Sequence, residues 1–248
     1  MRTLWKKMLA IVAVAAVIAP VMGAGNAKDY LANYASAEEE KTQYRIMPLG
    51  DSITAGYCPG SDYQFGGYRM YLANKLEENG FAGQFDFVGK WNTGEGYDMD
   101  NNGTNGVMIA NDDWGDSITT DIVKNGILDT YQPDMILLQI GTNDILGQDE
   151  NIALREVSKI KERLENLINI IMEKMKEDTV IFLASIPYME GSNYEQYNDN
   201  VTDYNMSIRQ LVKGKQAENQ KIYFVDINGA VSKGQYVDGV HPNQEGYA

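Results

Sequence analysis

Tyr44-Arg45-Ile46-Met47-Pro48-Leu49-Gly50-Asp51-Ser52-Ile53-Thr54 is an apolar run that breaks at a glycine. Tyr44–Leu49 predicts a first strand, and Gly50 ends it just before a serine. The same grammar repeats outward from this stretch. Phe85–Val88, Met135–Ile140, Val180–Ile186 and Ile222–Val225 are further apolar runs of strand length. Helical spacing separates them: Tyr68, Tyr71, Leu72 and Leu76 within 67–79, a helix around Asp116–Asn125, and another over Asp199–Lys213. Val157, Ile160, Leu164, Leu167, Ile171 and Met175 mark one face of a long amphipathic helix. Strands apolar throughout, alternating with helices, predict one α/β domain: a mainly parallel, five-stranded sheet covered on both faces. Gly89–Gly115, rich in Gly, Asn and Asp, reads as a long surface loop.

Composition narrows the chemistry. The 248 residues carry 21 Lys+Arg against 35 Asp+Glu, a formal charge of -14, which argues against a nucleic-acid binder, since that normally needs a basic face. One Cys excludes an intrachain disulfide framework and a Cys-cluster zinc site. One His excludes any site needing two imidazoles and leaves His241 as the only imidazole base. No cofactor is called for. Asp98-Met99-Asp100-Asn101-Asn102-Gly103 matches the start of a calcium loop, but its twelfth position is Ile109 rather than Glu, so the 98–106 stretch is expected to be a solvated loop without metal.

The N-terminus reads as a processing segment. Arg2, Lys6 and Lys7 precede an apolar Met8–Met22, as in a secretory signal peptide, and the run is shorter than the ~20 residues of a spanning helix. Cleavage after Gly25-Asn26-Ala27 divides the chain into a signal peptide (1–27), an N-terminal mature segment (28–43) and the α/β domain (44–248). Three fewer positive charges take the mature chain from -14 to -17. A secreted protein of that acidity is expected to have no stable membrane association.

In such sheets, ligands bind outside the carboxyl ends of the strands. Three polar blocks lie there: Gly50-Asp51-Ser52-Ile53-Thr54, Gly141-Thr142-Asn143-Asp144, and Asp238-Gly239-Val240-His241-Pro242. A serine hydroxyl becomes a useful nucleophile when an imidazole, with an ordinary pKa of about 6.5, takes its proton. A carboxylate must hold that imidazole in one tautomer, and aimed donors must meet the oxyanion. Ser52, His241 and Asp238 are the catalytic candidates. The Ser52 N–H and the Asn143 amide are candidate oxyanion donors. Gly-Asp-Ser-Ile-Thr occurs again at 115–119, where it follows loop and enters a helix; Asp116 or Ser117 is expected to cap that helix. Cys58 is expected to be a small structural thiol. Tyr57, Tyr63, Phe65, Tyr68, Trp91, Tyr97 and Trp114 crowd the neighbouring loops, with no single ring assigned to binding.

Together the three blocks resemble those of the SGNH, or GDSL-type, hydrolases, and the resemblance covers 44–248. It implies a three-layer α/β/α sandwich of the flavodoxin-like kind. It also implies an oxyanion glycine: Asn102-Gly103-Thr104-Asn105-Gly106-Val107-Met108-Ile109 resembles the E-G-H-S-G-W-T-I stretch of bacterial carbohydrate esterases, which places that role on Gly106. Met47–Ser52, Gly66-Gly67-Tyr68-Arg69, Asp86–Gly89 and His241-Pro242-Asn243 are most similar to family three carbohydrate esterases, whose activity resembles that of acetylxylan esterases. The resemblance thus implies a secreted serine esterase acting on a small ester or an acetylated polysaccharide. A lysophospholipase or thioesterase, and a non-catalytic carbohydrate-binding module, are the alternatives. The family adds a helix after its Gly-Tyr segment; here the sequence stops at Ala248, so either it is a fragment or that C-terminal helix is missing, which would leave the His241 loop poorly supported. The G-x-S-x-G elbow of α/β-hydrolases is absent, since Ser52 leads into Ile53-Thr54.

Overall fold

The computed structural model describes residues 43–61, 66–110, 117–147 and 156–248. The signal segment 1–27, together with Tyr63, Phe65 and Trp114, lies outside them. A sheet forms from β1 (Tyr44–Gly50), β2 (Phe85–Phe87), β3 (Trp91–Asn92), β4 (Asp100–Gly103), β5 (Met135–Gln139), β6 (Val180–Ala184) and β7 (Ile222–Val225). Its order is β3-β4-β1-β5-β6-β7, with β2 beside the first half of β1 and β4 beside its last two residues. Every pair is parallel except β3 with β4. This is a mainly parallel α/β fold, as the strand–helix alternation predicts.

Side-chain alternation sends the strands' residues to two cores. Met47, Leu49, Ile136, Leu138, Ile181 and Leu183 face one side and pack on α3 (Ile118–Val123), α4 (Ile127–Tyr131), α6 (Val157–Lys174) and α7 (Asn198–Ala217). Ile46, Phe87, Met135, Leu137, Val180 and Phe182 face the other and pack on Leu72, Ala73 and Leu76 of α2 (Tyr68–Leu76). The face of α6 comprises Ile160, Leu164, Leu167, Ile168 and Ile171, all buried.

The sheet has seven strands rather than five. The two extra ones, β3 and β4, lie within 89–115, expected to be loop. Their polar residues pair because β1 offers an open edge beyond β2, and most side-chain polar groups around β4 find partners within the protein, the buried Asn102 Oδ1 excepted. Asp98 accepts from the Phe87 and Asp100 N–H groups, Asp100 accepts from Asn92 at 2.7 Å, and Asn101 accepts from the Gly103 N–H at 2.9 Å. The 98–106 stretch is therefore a strand inside the sheet, buried at Asn101–Gly103, and the exposed turn that follows it, rather than a solvated loop throughout. No group of three or more potential ligands able to hold a metal occurs among the described residues.

Candidate active site

Gly50 ends β1 at a point where no side chain fits: a β-carbon would stand 2.1 Å from the Gln139 carbonyl and 2.3 Å from Thr54 Oγ1. The chain then turns into α1 (Ser52–Ala55). Asp51 caps it, Oδ1 accepting from the Ile53 N–H at 2.9 Å, and Gly56 closes it at φ 82°. Ser52 is the first residue of this turn and is 7% exposed. Backbone N–H groups at such a start have no intrahelical partner and face outward.

His241 and Asp238 come from the segment after β7. Ser52 Oγ lies 2.9 Å from His241 Nε2, and His241 Nδ1 lies 2.7 Å from Asp238 Oδ2. A carboxylate can only accept, so Nδ1 carries the proton and Nε2 is left to accept from the serine hydroxyl. Asp238 Oδ1 also accepts from the His241 and Val240 N–H groups, at 2.8 and 3.0 Å. Burial pushes the Asp238 carboxyl up, but these hydrogen bonds outweigh it and hold the group below the usual carboxylate value. The edge of Tyr57 meets the imidazole nearly at right angles, ring centres 5.0 Å apart.

The His241 segment is not loosely held. Val237 donates to the His241 carbonyl, Asn243 donates to that of Gln235, and α8 (Gln244–Tyr247) follows. Tyr247 packs on Ile53 and Cys58, and its hydroxyl donates to the Tyr57 carbonyl at 2.9 Å. Cys58 is buried in that cluster.

α5 (Thr142–Leu146) begins at Gly141, where φ is 121° and a β-carbon would meet the Tyr204 ring at 2.5 Å. Asn143 is buried, and its side-chain amide donates to the Val107 carbonyl at 2.9 Å. Asp144 Oδ2 accepts from the Ile109 N–H at 3.2 Å, while Oδ1 pairs with Arg163 at 3.1 Å. Burial raises the Asp144 carboxyl to about 6 against the pull of Arg163. Consecutive residues of α5 thus pin the chain just after Gly106, which sits at φ 71° in an exposed turn closed by Val107 N–H to Thr104 O. Upstream, Gly103 pairs with Gly50 so closely that a β-carbon would reach 2.3 Å from the Ala55 nitrogen. Ser52, Asn143, Asp238 and His241 therefore gather at the carboxyl edge of the sheet, with the Gly106 turn braced against Asn143. Ser117 caps α3 instead, accepting from the Thr120 N–H at 3.0 Å.

Two buried groups at the site have roles the residue pattern does not reveal. Arg69, fully buried, donates to the carbonyls of Thr54 (3.1 Å), Ala55 (2.9 Å), Thr93 (2.8 Å) and Met99 (2.7 Å) and to Thr93 Oγ1 (3.1 Å). It ties the end of α1 to the 93–99 segment. The Gly-Gly-Tyr-Arg likeness points to this residue but not to its task. Asp51 Oδ2 is buried without a hydrogen-bond partner. Burial raises this carboxyl to about 7; the Ile53 N–H and the nearby Thr142 hydroxyl offset it only in part, and the Asp144 charge adds to it.

The sequence profile of the GDSL-like lipase/acylhydrolase family matches residues 49–248. The chain belongs to this family. The relatives it resembles are esterases, carbohydrate esterases among them. A multidomain esterase of Ruminococcus flavefaciens is 32% identical over 224 aligned residues, covering 82% of this chain and 27% of that relative. The chain thus spans about a quarter of that protein's length. The Clostridium thermocellum family 3 carbohydrate esterase superposes with a TM-score of 0.62 at 28% identity, covering 83% of this chain and 90% of that one. A family 3 carbohydrate esterase from Talaromyces cellulolyticus shares the fold at TM-score 0.61 and 22% identity, covering 82% and 90%.

Proposed function

We propose that this GDSL-type esterase is exported and removes acetyl groups from carbohydrate through an acyl-enzyme on Ser52. The observation that carries the mechanism is the unbroken line from Ser52 Oγ through His241 to Asp238, at 2.9 and 2.7 Å. Ser52 Oγ attacks the acetyl carbon as its proton passes to His241 Nε2. Asp238 holds the tautomer and stabilises the imidazolium that forms. The oxyanion is met by the N–H groups of Ser52 and Gly106 and by the Asn143 amide, each such donor being worth ~3–4 kcal/mol. His241 then gives its proton to the departing sugar oxygen, and the sugar leaves as an alcohol. A water attacks the acyl carbon, again losing a proton to His241, and acetate departs while Ser52 is restored.

The likeness to family 3 carbohydrate esterases supports the substrate class. The basic Met1–Lys7 and apolar Met8–Met22 support export. Acetate release from acetylated xylan and other acetylated glycans, beside a chain-length series of p-nitrophenyl esters, tests the reading. Short esters should be preferred, Ser52→Ala should lose several orders of magnitude of rate, and a fluorophosphonate should label Ser52. Preference for long acyl chains would instead mark a lysophospholipase or thioesterase. The mature N-terminus of the exported protein should be Lys28.

A further inference from the structure

We propose that Trp91 is a stacking platform for a neutral sugar ring next to the one that reacts; this rests on the carbohydrate reading above. Trp91 lies on the outermost strand, β3, and stays 45% exposed although it is the largest kind of apolar side chain. Single exposed apolar residues are ordinary, but this one is fixed in place. Its indole N–H donates to Thr104 Oγ1 at 3.1 Å, and the Thr104 N–H donates to the Gly50 carbonyl at 3.0 Å. Two hydrogen bonds therefore link the ring to the residue two places before Ser52, and Thr104 opens the turn that carries Gly106.

A second set of contacts holds the ring from another side. Lys90 Nζ stands 5.3 Å from the ring centre and pairs at 2.6 Å with buried Asp121. Asp121 is itself held by Asn125 at 2.8 Å and Asn102 at 3.3 Å. An aromatic surface whose orientation is already fixed loses little conformational entropy when a ligand lies on it. A pyranose suits it, since its C–H face is apolar while its rim is polar, and an indole combines a flat apolar body with a polar edge. The Lys90 charge is answered by Asp121, and the chain's charge of -14 repels acidic glycans, so the ring it holds is neutral.

The platform meets the site from the β4 side of Ser52, through the Thr104 bonds to the indole and to the Gly50 carbonyl. The reacting sugar must lie against Ser52 and His241, so Trp91, on the strand beyond β4, holds a neighbouring unit of the chain. The selectivity for oligosaccharide over small ester should therefore depend on this ring.

The test compares Trp91→Ala and Trp91→Phe with wild type on acetylated xylo-oligosaccharides and on p-nitrophenyl acetate. Trp91→Ala should raise the ratio of the two KM values, oligosaccharide over small ester, by roughly 5- to 10-fold, and Trp91→Phe should restore most of it. An unchanged ratio while acetylated glycans are still turned over overturns the platform alone. A fall in kcat on p-nitrophenyl acetate that matches the loss on oligosaccharide also overturns it, showing that the indole serves only to shape the Thr104 turn. Wild-type enzyme that cleaves p-nitrophenyl acetate but no acetylated glycan overturns the carbohydrate reading, and the platform with it.

Discussion

Replacing Arg69 with methionine isolates the group that holds the serine turn from behind. The guanidinium is fully buried and its donors end on four carbonyls and one hydroxyl; no carboxylate among the described residues pairs with it directly. Burial lowers its pKa, though a guanidinium stays charged at neutral pH. Methionine fills similar length with apolar atoms but leaves the carbonyls of Thr54, Ala55, Thr93 and Met99 without this donor. Each buried acceptor so stranded costs ~1–3 kcal/mol, although the Met99 carbonyl still accepts from the Asn101 amide at 3.0 Å and the Thr93 N–H at 3.3 Å. Against that stands the recovered desolvation of the cation, several kcal/mol in real proteins. Thr93 Oγ1 also keeps a 3.4 Å contact to the Ala55 carbonyl. The net expectation is a loss of ~3–5 kcal/mol.

For a domain of this size, each kcal/mol lowers Tm by roughly 2–4 °C, so Trp fluorescence or circular dichroism should report a fall of ~6–20 °C. Arg69→Lys keeps a charge but not the fork and reaches fewer acceptors, so its Tm should lie between those of wild type and Arg69→Met. Below its melting point, Arg69→Met should also lose kcat on p-nitrophenyl acetate, by ~10-fold or more, because a misplacement of about 1 Å at the nucleophile is that costly. A Tm within 2 °C of wild type, with kcat retained, would refute the reasoning: water would then be satisfying the four carbonyls as well as the arginine does.

Asp238→Asn keeps an oxygen for the Val240 and His241 N–H groups but turns an amide toward Nδ1; steady-state assay should show kcat down by ~10⁴ with Tm little changed, and a loss under tenfold would remove Asp238 from the mechanism. Asp51, raised from 3.8 to about 7, contributes stability that is present below its unfolded pKa and lost as pH rises through about 7; the change is worth ~4 kcal/mol. Urea unfolding should show wild type weakening from pH 5 to pH 8 and Asp51→Asn weakening much less, and equal slopes would contradict this. Arg163→Leu strands the buried Asp144 carboxylate, so stability at pH 8 should fall by ~3–5 kcal/mol and recover in part at pH 5, where the carboxyl is neutral; denaturant midpoints at the two pH values decide it.

What could be read from residue types and what could not divides along a physical line. β1, β5, β6 and β7 are legible because burial on both faces demands apolar residues throughout. β3 and β4 are not, because Trp91–Asn92 and Asp100–Gly103 are held by pairing and by Asn and Asp side-chain bonds, which need no hydrophobic period. The short α4 (Ile127–Tyr131) is hidden for a similar reason, being too brief to show a repeat. At the site, Ser52, Asn143 and His241 stand out because strand ends meet on one edge and only one imidazole exists. Arg69 does not, because its partners are carbonyls 14 to 30 residues away, and a carbonyl has no letter in a sequence.

The two copies of Gly-Asp-Ser-Ile-Thr make the same point within one chain. In the first, Ser52 begins a turn directly after a buried strand, Asp51 caps that turn, and the serine oxygen reaches the imidazole at 2.9 Å. In the second, Ser117 does the capping itself, its oxygen accepting from the Thr120 N–H at 3.0 Å and 1% of the residue exposed. An oxygen engaged with the helix start and shut away from solvent cannot attack an ester, whatever letters surround it. What sets Ser52 apart is the strand that precedes it. β1 delivers Ser52 to the sheet edge where β5 delivers Asn143 and the segment after β7 delivers His241. The pentapeptide is thus necessary to the site only in company with the sheet that presents it.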